Sequence, residues 1–511
     1  MLTTVAWLAL LLPGGGWAPL GAPPLCAPEP APPEPHRLLD GVHVLLRQRG
    51  GDAERAAPAP RLPQPLLMQM LEEDARARGA TLEFFRSSPA LLARGEDAAL
   101  ASARAAIADL AAQGAALEVE LTCELVAGGS KGAPARARVR SGGDAFFGAR
   151  KAQTFVSGFD VEVAADSGVA QPVLGTALTG PGVHVRAARV AGGKRIWLQG
   201  LLDVSELGTL ARFDPDTPDL GLLEQPTVNA VQVAFAGVVD SGGKLEVAIT
   251  GSGLASGEWK LVLGATTRPD AVPAGSAGWS VLDLAFLANE PWTLAPASPG
   301  GHLAREASFA GFASAPVSLP PSALAAQLEA ARGSERGPRA PLYWTNELLF
   351  LPRAEPKLLD DARALVATLE APRLAASRVE LAHEGLTVSF PVCEGLVARV
   401  LATRERPYLT AYRSELAPQT WMPAPEPELV VDGLGVELLP FGGVLAARAW
   451  KAASSAPEEV ARKDAQLGKL QLLRRELWSD AARIGRDERG RTLLAAPPAG
   501  PGVVSIGFGE P

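Results

Sequence analysis

Between residues 117 and 125 apolar and polar positions alternate without a break. Leu117, Val119, Leu121, Cys123 and Leu125 fall on one side, and Glu118, Glu120, Thr122 and Glu124 on the other. A period of two sends one face into a core and the other into water, which predicts a strand. Just upstream the period changes. Leu100, Ala103, Ile107 and Leu110 recur at helical spacing over 96–112. Earlier still, 66–71 opens a helix that Gly79 should end, and Leu82, Phe84 and Phe85 mark a short strand.

The helix, strand, helix, strand order returns in the second half. Residues 319–320 and 324–328 echo 62–63 and 67–71, and 348–351 echoes 82–85. The helix returns at 358–369, with Ala362-Arg363-Ala364 against Ala103-Arg104-Ala105, and Val379-Glu380-Leu381 repeats the strand. A gapless echo follows at a constant offset of 253 residues (408 − 155), pairing 155–185 with 408–438. It sets Phe155 against Tyr408, Phe159 against Tyr412, Pro172 against Pro425, Gly180 against Gly433 and Gly182 against Gly435. Such periodicity is the mark of a copied structural unit. The second copy, crowded by Pro418, Pro423, Pro425 and Pro427, reads as the more eroded of the two.

Between the copies, 194–290 reads as mostly strand. Gly192-Gly193 joins Val183 and Val185 to Ile196 and Leu198 as a hairpin. Val231, Val233 and Phe235 then lead through Asp240-Ser241-Gly242-Gly243 to Leu245, Val247 and Ile249, and Trp259, Leu261 and Leu263 offer a further strand. The expected class is therefore α+β: two related αβαβ-plus-hairpin modules flanking a β-rich antiparallel region. Nearer the C-terminus, Ser455 and Glu458 form a capping box, and Val460, Leu467, Leu470, Leu473, Leu477 and Ile484 form a stripe. That pattern predicts an amphipathic helix over 455–490.

Composition narrows the function. At 511 residues the chain exceeds one ordinary domain, and 47% hydrophobic against 20% charged residues can build a core. A net charge of -8 argues against nucleic acid as a partner. Residues 5–12 are apolar but too few to span a bilayer, and a proline-rich stretch follows, which predicts a cleaved export signal. Cys123 and Cys393 sit in apolar, strand-like surroundings that favour buried free thiols over a disulfide.

No catalytic, cofactor-binding or metal residue is expected. His36, His43, His184, His302 and His383 are scattered, and His184 reads as a solvated surface residue. Gly192-Gly193-Lys194 and Gly242-Gly243-Lys244 lack the Ser/Thr and the helix of a phosphate loop. Asp214, Asp216 and Asp219 read as a solvated acidic turn without calcium-loop spacing. The chain is thus expected to be no enzyme.

The arrangement resembles a degenerate member of the bacterial secretin family, the outer-membrane ring proteins of type II and type III secretion and type IV pili. The αβαβ order of 62–125 is similar to the small periplasmic modules of that family. Ala152-Gln153-Thr154-Phe155-Val156-Ser157-Gly158, the Gly182-led hairpin, and the strand pair around Asp240-Ser241-Gly242-Gly243 stand where a secretin domain has its Ala/Phe-x-x-Gly stretch, hairpin and later strand pair. A secretin carries one pore-forming domain late in the chain, and aromatics are only 5% here, too few for membrane girdles. The resemblance implies a non-enzymatic assembly or scaffold protein of periplasm or outer membrane, forming homo-oligomers or binding other envelope proteins. It implies membrane association without a transmembrane helix. An exported β-rich ligand- or glycan-binding protein without a channel role is the alternative. The expected organisation is a signal peptide at 1–25, a Pro-rich leader at 26–60, a first module at 61–193, a β-rich secretin-like region at 194–300, a linker at 301–317, a second module at 318–450, the helix at 455–490 and a tail at 491–511.

Overall fold

The computed structural model describes residues 18–19, 62–87, 90–164, 167–217, 220–251, 254, 257–267, 278–288, 319–332, 340–416, 421–441, 444–461, 469–481, 492–494 and 504–509. Helix α1 (Gln64–Ala77) leads to strands β1 (Leu82–Ser87) and β2 (Ala90–Gly95), and α2 (Asp97–Ala116) runs into β3 (Glu118–Ala127). The charged edge strand β4 (Ala135–Arg140) and then β5 (Asp144–Gly148) follow. Four long strands come next: β6 (Lys151–Val163), β7 (Gly168–Val190), β8 (Arg195–Phe213) and β9 (Leu223–Asp240). Two shorter ones, β10 (Lys244–Thr250) and β11 (Glu258–Thr267), complete the first half, and β12 (Trp279–Asp283) leads away from it.

The second half repeats the order. Helix α3 (Pro321–Ala331), β13 (Leu348–Pro352) and α4 (Pro356–Glu370) precede β14 (Ala376–His383) and β15 (Leu386–Cys393). Then come β16 (Ala398–Leu416), β17 (Trp421–Phe441), β18 (Val444–Ser454), β19 (Glu458–Ala461), β20 (Lys469–Leu472), β21 (Arg475–Ala481), β22 (Thr492–Leu494) and β23 (Val504–Gly509).

Two nine-stranded sheets dominate. A long-strand sheet runs β21-β18-β17-β16-β9-β8-β7-β5, with β6 also paired to β7. A short-strand sheet runs β22-β23-β14-β15-β10-β11-β3, ends in the two-residue strand Ser130–Lys131 and carries β4 on β3. Their facing sides share one core. Val119, Leu121, Val247, Leu261, Val388 and Phe390 from the short strands meet Val183, Leu198, Val233, Val400, Val436 and Ala447 from the long ones. Removing that much apolar side chain from water is the main term holding the sandwich together.

The α+β expectation is overturned. The structure is 61% strand and 21% helix, and its sheets are antiparallel rather than layered αβαβ modules. The helices do form near their expected places, but as side layers. Helices α1 and α2 bury Met70, Leu71, Ile107 and Leu110 against Trp279 and Phe350, while α3 and α4 bury Leu324, Leu358 and Val366 beside Trp197. Periodicity located these helices without showing that the long strands carry the mass.

Two further expectations need correction. Residues expected as a helix over 455–490 hold β19, β20 and β21, with 462–468 and 482–490 outside the described residues; Ser455 closes a strand turn, its N–H donating to Arg474 O at 2.8 Å. Strand pairing with β18 overrides the local helical pattern. The strand that the apolar run 503–508 offers after the stretch 495–501, read as loose, does form: it is β23, which pairs with both β14 and β22 and buries Ile506 completely. The turn at 241–243 does not return β10 beside β9: it passes the chain from one sheet to the other. The expected linker at 301–317 lies outside the described residues.

Candidate functional site

The features that set this fold apart lie along the long strands, and they come in pairs. Between β6 and β7, Phe159 stands opposite Pro172 and Val156 opposite Leu174, with a bulge between Val156 and Gly158. Between β16 and β17, Tyr412 stands opposite Pro425 and Leu409 opposite Pro427, with a bulge between Leu409 and Ala411. Every residue of the second set is 253 positions beyond its counterpart. The correspondence reaches the proximal ends, where Ala145 opposes Val185 and Ala398 opposes Leu438.

The bulges are satisfied alike. A bulge frees a backbone amide that must find another acceptor. The amide of Val156 donates to Glu224 Oε2 at 3.0 Å, and that of Leu409 donates to Gln471 Oε1 at 3.0 Å. Glu224 and Gln471 are themselves matched. Leu207 pairs with Val228 as Ser454 pairs with Arg475, and Ala211 pairs with Gln225 as Glu458 pairs with Leu472, all at an offset of 247.

Midway along β7 and β17 the chain turns at a glycine of positive φ: Gly180 at 114° and Gly433 at 138°. A Cβ on Gly180 would lie 2.3 Å from Ala149 O, and one on Gly433 would lie 2.0 Å from Ala402 O. No other residue fits this approach to the neighbouring strand. Two residues on, Gly182 makes room for the Arg150 guanidinium and Gly435 for the Trp450 indole. Arg150 pairs there with Asp203, which is wholly buried, and donates to Gly180 O at 2.7 Å and to Ser205 Oγ at 3.0 Å.

The halves meet strand to strand. Residues 228–234 of β9 pair antiparallel with 399–405 of β16, so the last long strand of the first half adds to the first long strand of the second. In the other sheet β10 joins β15 over three residue pairs. A cleft of about 330 Å³ opens beside the first join, lined among others by Asn229, His383, Glu384, Arg404, Asp432 and Lys451. Arg404 Nε donates to Asn229 Oδ1 at 3.3 Å across the join. Lys451 Nζ donates to Glu384 Oε1 at 2.7 Å, and that hydrogen bond is the main cause holding the Glu384 carboxyl below its usual range.

At the two outer ends of the long-strand sheet the ladder stops. Among the described residues, β21 pairs with β18 alone, and β5 and β6 pair with β7 alone. Such edges present unpaired N–H and C=O groups to another strand.

The residues weighed from sequence are dispersed. His184 is not solvated: it is buried with Nε2 3.3 Å from Asp144 Oδ2, because β5 covers it. His383 is buried at the cleft, and His36, His43 and His302 lie outside the described residues. Asp214 Oδ1 accepts the Asp216 amide at 2.9 Å in a local turn, and Asp219 lies outside the described residues. Among the described residues no three His, Cys, Asp or Glu side chains gather as a metal site. Lys194 and Lys244 flank tight turns at 191–193 and 241–243. Cys123 and Cys393 are free and buried in separate cores, and burial pushes both thiols up to about 12. Sequence reasoning passed over Arg150, Asp203, Glu224 and Gln471, since no local pattern marks a residue whose partner lies on another strand.

No family model matches the chain, and no curated protein does. Solved structures give weak matches. The InvG secretin-domain β-barrel of the Salmonella SPI-1 injectisome is 11% identical at a TM-score of 0.21, covering 46% of this chain and 87% of that one. A second structure of the Salmonella injectisome secretin InvG matches at 11% identity and a TM-score of 0.22, over 46% and 88%. An atomic model of the Salmonella basal-body proteins InvG, PrgH and PrgK matches at 11% identity and 0.22, over 46% and 62%. The likeness is a weak secretin-like resemblance. At such TM-scores it carries no weight in assigning a function. No helix among the described residues is long and apolar enough to cross a membrane.

Proposed function

We propose that this chain is a non-enzymatic assembly or scaffold component of the cell envelope, that it consists of two copies of one β unit, and that it works by strand-edge pairing between subunits. One observation carries the reading. The join of β9 to β16 uses the last long strand of one half and the first of the next, and the reciprocal strands, β21 and β5–β6, end the sheet without a ladder partner among the described residues. A head-to-tail join of this type continues until it closes into a ring or runs into a filament.

The paired features support a mechanical role. Positive-φ glycines, capped bulges and a buried Arg–Asp pair all fix strand geometry. The test is electron microscopy of negatively stained mature protein, purified from envelope extracts with and without detergent. Ring- or arc-shaped particles support the assembly reading, whereas isolated single chains in both conditions contradict it. Thermal stabilisation by added oligosaccharides, without any assembled particles, would favour a binding protein instead.

A further inference from the structure

The chain displays within itself one copy of the contact that assembly requires. We infer that the partner is a second copy of this chain, and that β21 of one chain adds antiparallel to the β5–β6 edge of the next in the register of the internal β9–β16 join. This rests on the assembly reading above and specifies its interface.

The register can be carried over residue by residue. Strand β21 holds in the second half the place of residues 228–234 in the first, since Ser454 pairs with Arg475 and Arg448 with Ala481 as Leu207 pairs with Val228 and Leu201 with Ala234. Its seven residues match one for one the stretch of β9 that joins β16. The opposing stretch, 399–405, corresponds at the offset of 253 to 146–152, the outer edge of β5 and the start of β6. In the internal join Asn229 stands opposite Arg404. The external join therefore sets Glu476 opposite Lys151. Residues 151–154 are exposed and carry no ladder partner on that side among the described residues.

Two consequences follow from the topology. The contact is heterologous, so each chain donates β21 to one neighbour and accepts it from the other at β5–β6. Each chain also brings two β units, so a closed ring holds twice as many units as chains.

The experiment is disulfide trapping in a Cys26→Ser background. Antiparallel neighbours lie within the span a disulfide bridges. Singly substituted Lys151→Cys and Glu476→Cys proteins, carrying different tags, are mixed and oxidised mildly; Gln153→Cys replaces Lys151→Cys as the control two residues out of register. The pair Asn229→Cys with Arg404→Cys tests the internal join, with a mobility shift of the single chain expected. The expected external result is a disulfide-linked pair of chains from Lys151→Cys with Glu476→Cys and at least tenfold less from Gln153→Cys. Particles that assemble yet fail to crosslink at Lys151 and Glu476, or crosslink equally out of register, overturn this interface and leave the assembly reading standing. Protein that stays monomeric throughout overturns both.

Discussion

Glu224 and Gln471 perform the same act in the two halves of the chain: each accepts, at 3.0 Å, the amide freed by a bulge on a neighbouring long strand. The donors, Val156 and Leu409, are themselves counterparts, yet one acceptor is a carboxylate and the other an amide. What the two halves share is the need for an acceptor. The charge of the acceptor is free to vary.

That need can be measured. Glu224→Ala and Gln471→Ala each leave a bulge amide without its acceptor, which costs about 1–3 kcal/mol at the buried Leu409 amide and less at the half-buried Val156 amide. Glu224→Gln keeps an oxygen there and should cost under about 0.5 kcal/mol. Urea unfolding of the three variants checks the ranking; an equal loss for Glu224→Ala and Glu224→Gln would show that the acceptor is not what matters.

Gly180→Ala and Gly433→Ala should be among the most damaging single changes. Each demands positive φ of a non-glycine residue and drives a methyl into a backbone carbonyl of the adjacent strand. Backbone strain alone costs about 1–3 kcal/mol, and the contact adds to it. Gly242→Ala, where no atom lies within 4 Å of the new methyl, should cost only the strain. Thermal melts of the three proteins separate the two contributions.

Arg150 and Asp203 form a buried ion pair, so removing one partner strands a charge. Arg150→Met and Asp203→Leu should each cost about 3–5 kcal/mol. The double variant should recover part of that loss, because no uncompensated charge remains. A double-mutant cycle in guanidinium chloride gives the coupling.

Glu370 supplies a pH signature. Burial pushes its carboxyl up to about 7, against a smaller opposing effect from the Ala191 amide that donates to Glu370 Oε2 at 2.9 Å. In the unfolded chain it loses its proton near 4.5, so between about 4.5 and 7 the folded state holds the proton more tightly. The stabilisation from this group is complete below that window and fades as pH rises through it, by up to about 3 kcal/mol. Glu370→Gln should flatten the decline of melting temperature between pH 5 and 7. An unchanged slope would exclude this residue as its source.

Much of the strand content was legible from alternation: 118–125, 231–235, 245–249 and 259–263 all fall within strands that form, Leu117 capping the helix before the first of them. The proline-rich strand pair at 408–427 has the same pairing register as the pair at 155–174, at the offset of 253 that the sequence suggests. Pro423, Pro425 and Pro427 sit at strand positions opposite Ser414, Tyr412 and Leu409 of β16, so the prolines left the ladder in place. The helix expected over 455–490 failed because long-range pairing, of β21 with β18 and of β19 with β20, overrides an apolar spacing that is locally helical. Which sheet each strand joins was not legible, since the turn at 241–243 reads the same whether the chain folds back or crosses to the other sheet.

The central claim, that this two-unit chain assembles through its open sheet edges, is tested most directly by the mass of the purified mature protein, measured by light scattering with and without detergent. A particle whose mass is a fixed multiple of the single chain is the predicted result. A strictly monomeric mass in both conditions would contradict the account.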